Sequence, residues 1–272
     1  MAANQPVLGK KVVYVAQHSP HLLWAIPRKA KRDEIGVQNP LPFYGYDLWN
    51  AYEVSWLNSS NKPEVKIAEI CYNANSPFIV ESKSLKLYLI SFFNSNFGSA
   101  SVVRETVAKD LFNILQTDVQ VKLVNLDTQQ LQIRSPSGIC IDYLDVACKI
   151  TGNVEPKFLE CTGEYDEESV YSNLLKSNCL MTGQPDLGTI EISYKGLHIR
   201  HDSLLKYIVS FRNHNEFHEQ CVERIFMDIM NYCRPQRLTV YARYTRRGGI
   251  DINPFRSTEK SHELNNARLI RQ

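Results

Sequence analysis

Leu85, Tyr88, Leu89 and Phe92 recur at spacings of three and four residues, and Leu204, Tyr207, Ile208 and Phe211 repeat the pattern. This is one face of an amphipathic helix. The run Leu85, Leu87, Leu89 also alternates, but Leu204-Leu205-Lys206-Tyr207 does not, so both segments (81–94 and 201–213) are read as helices. Upstream, "AEICY" (68–72) and "IEISY" (190–194) alternate as strands do, each shortly after a Pro-acid pair, Pro63-Glu64 and Pro185-Asp186. Downstream, 102–115 and 217–230 have helical spacing. Strand-like runs follow: "VQVKLVNL" and "GICIDYLDV" in the first copy, "RLTVYARY" and "GIDINPF" in the second, the latter two joined by "TRRGG". Each copy reads strand, strand, helix, helix, strand, strand.

The repeat predicts an α+β protein of two duplicated lobes, each an antiparallel sheet backed by two helices. The expected division is a lead-in arm over 1–55, a first lobe over 56–155 and a second over 156–272. The arm, charged and then proline-rich over 26–47, is expected to be mostly irregular.

Composition narrows the function classes. The 272 residues carry 31 Lys and Arg against 29 Asp and Glu, a net charge of +2. That is too small for a dedicated nucleic-acid or membrane-surface binder. No apolar run is long enough to span a bilayer, and the N-terminal sequence has no signal core. Seven cysteines, an odd number without a C-x-x-C pair, argue against a disulfide framework and a zinc ribbon. The expectation is a soluble, cytoplasmic protein with most thiols buried.

Chemistry is expected where the copies diverge. Aligning the Pro-acid pairs puts Cys179 of "KSNCLMTGQPD" over Leu57. Its polar surroundings suit a reactive thiolate, although an inert thiol is the commoner state of a cysteine. Asp186, past a turn, is a candidate acid beside that nucleophile. Laying Phe97 over Phe217 puts Gly98 and Ser99 opposite His218 and Glu219, a pair suited to proton transfer and hydrogen bonding, or simply a solvated helix turn. His214 and His218 are four apart, but Asn215 stands where a metalloprotease needs Glu, so no metal is expected. In "VESKSLK", Glu81 can accept paired N–H donors. Ser82, Lys83 and free amides at the helix start can hold a phosphate; an ordinary N-cap is the plain alternative. Arg246 and Arg247 precede Gly248 and Gly249, a cationic hairpin tip or anion clamp. No dinucleotide fingerprint or P-loop occurs.

Together "ESKSLKLY", "SNCLMTGQPD", "NEFHE" and "RRGGIDINP" resemble, across essentially the whole chain, the bimodular form of NADPH-dependent 7-cyano-7-deazaguanine reductase, the nitrile reductase of queuosine biosynthesis. The resemblance implies tandem tunnelling-fold lobes, association as a homodimer, and two NADPH consumed per nitrile reduced to the aminomethyl compound. It implies Cys179 as the nucleophile forming a thioimide, Asp186 as proton donor and His218 as an assistant. It implies substrate contacts from Val80, Glu81, Ser82, Phe217, His218 and Glu219. NADPH contacts are implied from Ser82, Lys83, Arg247 and Gly248. Two rivals stay open: a tunnelling-fold hydrolase or lyase on a pterin or purine, and a silent base-binding module.

Overall fold

The computed structural model describes residue 15 and residues 17–127, 133–148, 152–260 and 265–272. The arm is more ordered than its composition suggests. It contains β1 (Ala25–Pro27) and α1 (Lys29–Glu34), and β2 (Tyr44–Asn58) begins within it. The remaining elements follow the repeat. The first copy supplies β3 (Pro63–Asn73), β4 (Phe78–Val80), α2 (Ser82–Ile90), β5 (Asn96–Gly98), α3 (Ala100–Leu115), β6 (Val119–Val124) and β7 (Ile139–Cys140). The second supplies β8 (Cys161–Asn178), β9 (Pro185–Ile199), α4 (His201–Ser210), α5 (His218–Tyr232), β10 (Arg237–Tyr244) and β11 (Ile250–Ser257).

The duplicated helices share their contacts atom for atom. Tyr88 Oη donates to Asp110 of α3 at 2.7 Å, and Tyr207 Oη donates to Asp228 of α5 at 2.6 Å. Ser91 and Ser210 each close on the carbonyl of that tyrosine at 2.6 Å. The predicted apolar faces are buried, with Leu85, Tyr88, Leu204, Tyr207, Phe92 and Phe211 all at 0 % exposure. Burying faces of this kind drives helix docking at about 25 cal/mol per Å² of apolar surface. The two helix pairs sit in two apolar cores, and the first-lobe core also takes in Ile250 and Ile252 of β11.

The lobes are joined through their strands. One nine-stranded sheet runs β6-β3-β2-β11-β10-β9-β8-β7, with β5 beside β2. Its junction is the antiparallel pair β2–β11, in register from Ala51↔Ile250 to Tyr44↔Ser257. Gly45 permits the approach: a Cβ there would lie 2.0 Å from the Phe255 carbonyl oxygen. One trailing strand departs from the repeat. "GICIDYLDV" keeps only the two residues of β7, which pair in parallel with β8 of the other lobe.

A charged network lies beneath the junction. Arg28 and Arg32 from the arm, Asp47 of β2, Glu223 of α5 and Arg256 of β11 are all under 10 % exposed. Glu223 accepts from Arg32 Nε at 2.9 Å and from Arg256 Nη2 at 2.9 Å, and Asp47 accepts from Arg256 Nη1 at 2.9 Å and from Arg28. Three guanidiniums surround two carboxylates, which desolvation tolerates only because the hydrogen bonds are made. Among the described residues, no helix is long and apolar enough to cross a membrane.

Candidate active site

Cys179 lies just past the end of β8, at the start of the turn into β9. The turn closes through Cys179 N–H to Gln184 O (2.8 Å) and Gly183 N–H to Cys179 O (2.9 Å). Gly183 takes φ +67, a left-handed conformation that costs glycine little. The ladder corrects the sequence alignment. Asn178 pairs with Pro185, whereas Leu57 pairs with Pro63, so Leu57 corresponds to Asn178 and Cys179 to Asn58. The second turn is one residue longer, which linear counting cannot detect. Cys179 is half-buried, unlike Cys221 and Cys233, whose thiols are buried and pushed up by that burial.

Asp186 sits on β9 opposite Ser177, only 2 % exposed. His218 Nε2 lies 3.6 Å from its Oδ2, and Arg247 donates to its Oδ1. Burial alone would raise this carboxyl, but His218 and Arg247 together hold it below its usual range. His218 is the first residue of α5, and its ring meets Tyr244 edge-on at 4.0 Å between centroids. Gly188 makes room for Tyr244, since a Cβ there would approach its ring to 3.2 Å. The helix starts also correct the second alignment. Ser99 and Phe217 are the N-caps of α3 and α5, so Ala100 and Ser101 correspond to His218 and Glu219.

Glu219 is 2 % exposed, and its Oε1 has no hydrogen-bond partner among the described residues. Burial, reinforced by Asp47 and opposed by His218 and Arg28, pushes its carboxyl up to about 7. A buried acceptor without a donor is costly and suits a ligand N–H. Tyr72 of β3 lies close to both Glu219 and the Val80 backbone, so this part of α5 faces the first lobe.

In the first lobe, Val80 is buried on β4 opposite Ala25. Glu81 is the N-cap of α2: its carboxylate accepts from Lys83 N (2.9 Å) and Ser84 N (2.6 Å). The amides expected to be free for a phosphate are therefore engaged by the protein's own carboxylate. Glu81 N–H is held by Trp24 O at 2.9 Å, while Ser82 and Lys83 are exposed.

The hairpin tip after β10 reaches across to α2. A Cβ on Gly248 would lie 2.7 Å from Lys86 Nζ, and Lys86, Glu53, Ile90 and the two glycines line a shallow cleft. Arg247 bonds the side chains of Asp186 and Gln184. The structure thus brings Asp186, His218 and Arg247 together, with Arg247 also bonded to Gln184 of the turn that bears Cys179, and Tyr72 links Glu219 to the Val80 backbone. Lys86 stands against the tip. Lys86 is one turn beyond Lys83, so helical spacing points to it. Arg28, Tyr72 and Tyr244 gave no sequence signal, being single polar groups on separate elements. Among the described residues, converging metal-type ligands occur at Glu168, His198 and His201, at the end of the β8–β9 ribbon remote from Cys179.

Residues 14–123 match the family model described as "Nitrile reductase, 7-cyano-7-deazaguanine-reductase N-term", and 185–263 match "QueF-like protein". The chain is 52 % identical over 274 aligned positions to a Legionella pneumophila (strain Corby) protein, covering 99 % of this chain and 96 % of that one. It is 51 % identical over 267 positions to one from Coxiella burnetii (strain Dugway 5J108-111), covering 97 % and 96 %. Both relatives are named NADPH-dependent 7-cyano-7-deazaguanine reductase. With these identities along nearly its whole length, the chain belongs to the family of NADPH-dependent 7-cyano-7-deazaguanine reductases.

Proposed function

We propose that this protein reduces the nitrile of 7-cyano-7-deazaguanine to the aminomethyl group, in queuosine biosynthesis, through a covalent thioimide on Cys179. Family membership carries the oxidoreductase class and the NADPH requirement. The observation that most supports the thioimide route is the approach of His218 to a buried Asp186 beside the turn that bears a half-buried thiol.

The chemistry assigns each residue a task. A nitrile carbon is weakly electrophilic, so the sulfur must attack as thiolate. Charge then develops on the nitrile nitrogen, and Asp186 supplies the proton that neutralises it. His218, between Asp186 and the edge of Tyr244, restores that proton between steps. Glu219, with its unpartnered oxygen, accepts from the N–H edge of the guanine-like base. Glu81, Val80 and Ser82 face that base from the first lobe, and Phe217 packs on its ring.

Ser82, Lys83, Arg247 and Gly248 would hold the dinucleotide. The hairpin tip suits an anion, because the missing Cβ of Gly248 lets backbone and the Lys86 ammonium converge. NADPH, when bound, supplies hydride to the substrate carbon, one molecule for each of two reductions. Cys179 is released as thiolate between them. In this reading 56–155 and 156–272 contribute one half-site each, and the enzyme is a cytoplasmic homodimer.

Intact-mass spectrometry tests the route. Mixed with the nitrile and no NADPH, the protein gains the substrate's mass, and Cys179→Ala abolishes the gain. Absence of the adduct in the wild-type protein refutes the covalent route. Adduct without NADPH oxidation when both are supplied points to the hydrolase or lyase rival.

A further inference from the structure

Glu168, His198 and His201 come from three segments and play no part in the chemistry above. Glu168 lies on β8, His198 is one residue from the end of β9, and His201 opens α4. Eleven positions of β8 separate Glu168 from Cys179, on the order of 30 Å at the rise of a strand. One ligand atom from each of the three side chains lies within 4.8 Å of the other two. His198 Nδ1 is 3.3 Å from Glu168 Oε1, and His201 Nε2 is 3.0 Å from Glu168 Oε2. Donors bound to a tetrahedral zinc ion stand about 3.4 Å apart. The three side chains therefore already hold the spacing of a coordination shell.

The carboxylate is oriented from behind. Tyr194 Oη donates to Glu168 Oε1 and itself accepts from Ile199 N–H at 2.9 Å. Outer hydrogen bonds of this kind fix a ligating carboxylate in place. Charge favours a cation as well. Asp166 Oδ2 lies 3.2 Å from the same His198 nitrogen, so two carboxylates face two imidazoles. Among the described residues neither carboxylate pairs with a Lys or Arg, whereas Glu167 between them pairs with both Lys195 and Arg237. Two neutral imidazoles and two carboxylates balance a dication, and imidazole with carboxylate suits zinc. The plain alternative is a hydrogen-bonded cluster in which both rings direct N–H groups at Glu168.

We propose that Glu168, His198 and His201 bind a zinc ion, with Asp166 or water completing four-coordination, and that the ion ties the β8–β9 ribbon to the start of α4. The site is structural and stands apart from nitrile reduction. It is independent of the function proposed above.

Metal titration tests the proposal. Protein without a histidine tag is stripped with a chelator and titrated with Co²⁺ and then Zn²⁺. One equivalent of Co²⁺ gives the visible bands of a tetrahedral site without sulfur-to-cobalt charge-transfer absorption, and Zn²⁺ abolishes them. His198→Gln, His201→Gln and Glu168→Gln each weaken zinc binding roughly tenfold or more, whereas Cys179→Ala leaves it unchanged. Zinc raises the urea midpoint of the wild-type protein but not of the three variants. Each variant is checked by circular dichroism and by NADPH oxidation in metal-free buffer, which separates loss of the site from loss of the fold. Charge-transfer bands, or wild-type affinity in His198→Gln and Glu168→Gln, place the ion on thiols elsewhere and overturn the proposal. No uptake at micromolar zinc leaves a hydrogen-bonded cluster and overturns it too. Where a variant fails to fold, the cobalt spectrum of the wild-type protein still decides.

Discussion

Replacing Glu223 by Gln removes the anion that Arg28, Arg32 and Arg256 share. Glu223 is 1 % exposed and accepts from Arg32 at 2.9 and 2.7 Å and from Arg256 at 3.1 and 2.9 Å. Burial alone would raise its carboxyl, but the arginines, led by Arg256, lower it from 4.5 to about 2. That interval corresponds to about 3 kcal/mol of folding stability. Breaking a buried ion pair costs about 3–5 kcal/mol, which agrees. Because the folded value is depressed, the contribution is complete above the unfolded value of 4.5 and is lost as pH falls toward 2. Urea unfolding followed by circular dichroism from pH 7 to pH 3 measures both effects. Glu223→Gln loses about 3 kcal/mol at pH 7, and its deficit shrinks as pH falls through that window. A loss under about 1 kcal/mol, or a deficit independent of pH, refutes the assignment of the network as a clamp between arm, junction and α5.

Glu219, one helical turn before Glu223, has the opposite pH signature. Its folded value is raised to about 7, so the wild-type protein loses stability relative to Glu219→Gln as pH rises from 4.5 through 7, by about 3 kcal/mol in denaturant titrations. A stability difference that does not vary with pH contradicts this. Gly45→Ala forces a Cβ to within 2.0 Å of the Phe255 carbonyl at the β2–β11 junction and costs about 1–3 kcal/mol, seen as a lower urea midpoint; an unchanged midpoint shows that the junction tolerates the side chain.

The helices and most strands were legible because each copy carries its own apolar period. The matching Tyr88–Asp110 and Tyr207–Asp228 contacts show that the repeat is structural as well as textual. The β2–β11 pairing was not legible, because a strand's sequence specifies which face is buried but not its partner some two hundred positions away. The arm misled for a related reason. Its charge and prolines predicted an irregular segment, whereas Arg28, Arg32 and Asp47 are buried in ion pairs with Glu223 and Arg256. At the site, Cys179, Asp186 and His218 stood out where the copies diverge, but local spacing misplaced Cys179 by one residue and His218 by two against the first lobe. The Glu81 cap was the plain alternative, and the carboxylate reaches both amides in the ligand-free protein. Arg247 was legible as a cation on a turn; its bond to Asp186 needed the topology that brings the hairpin beside β9.

The most direct test of the account follows one turnover on Cys179. The nitrile is first mixed with the enzyme without NADPH, unbound nitrile is removed, and NADPH is then added while intact mass and nicotinamide absorbance are recorded together. The account predicts that the adduct forms on Cys179, disappears on addition of NADPH, and yields the aminomethyl product with two NADPH oxidised per adduct lost. An adduct that persists while product accumulates, or product formed at the wild-type rate by Cys179→Ala, contradicts it.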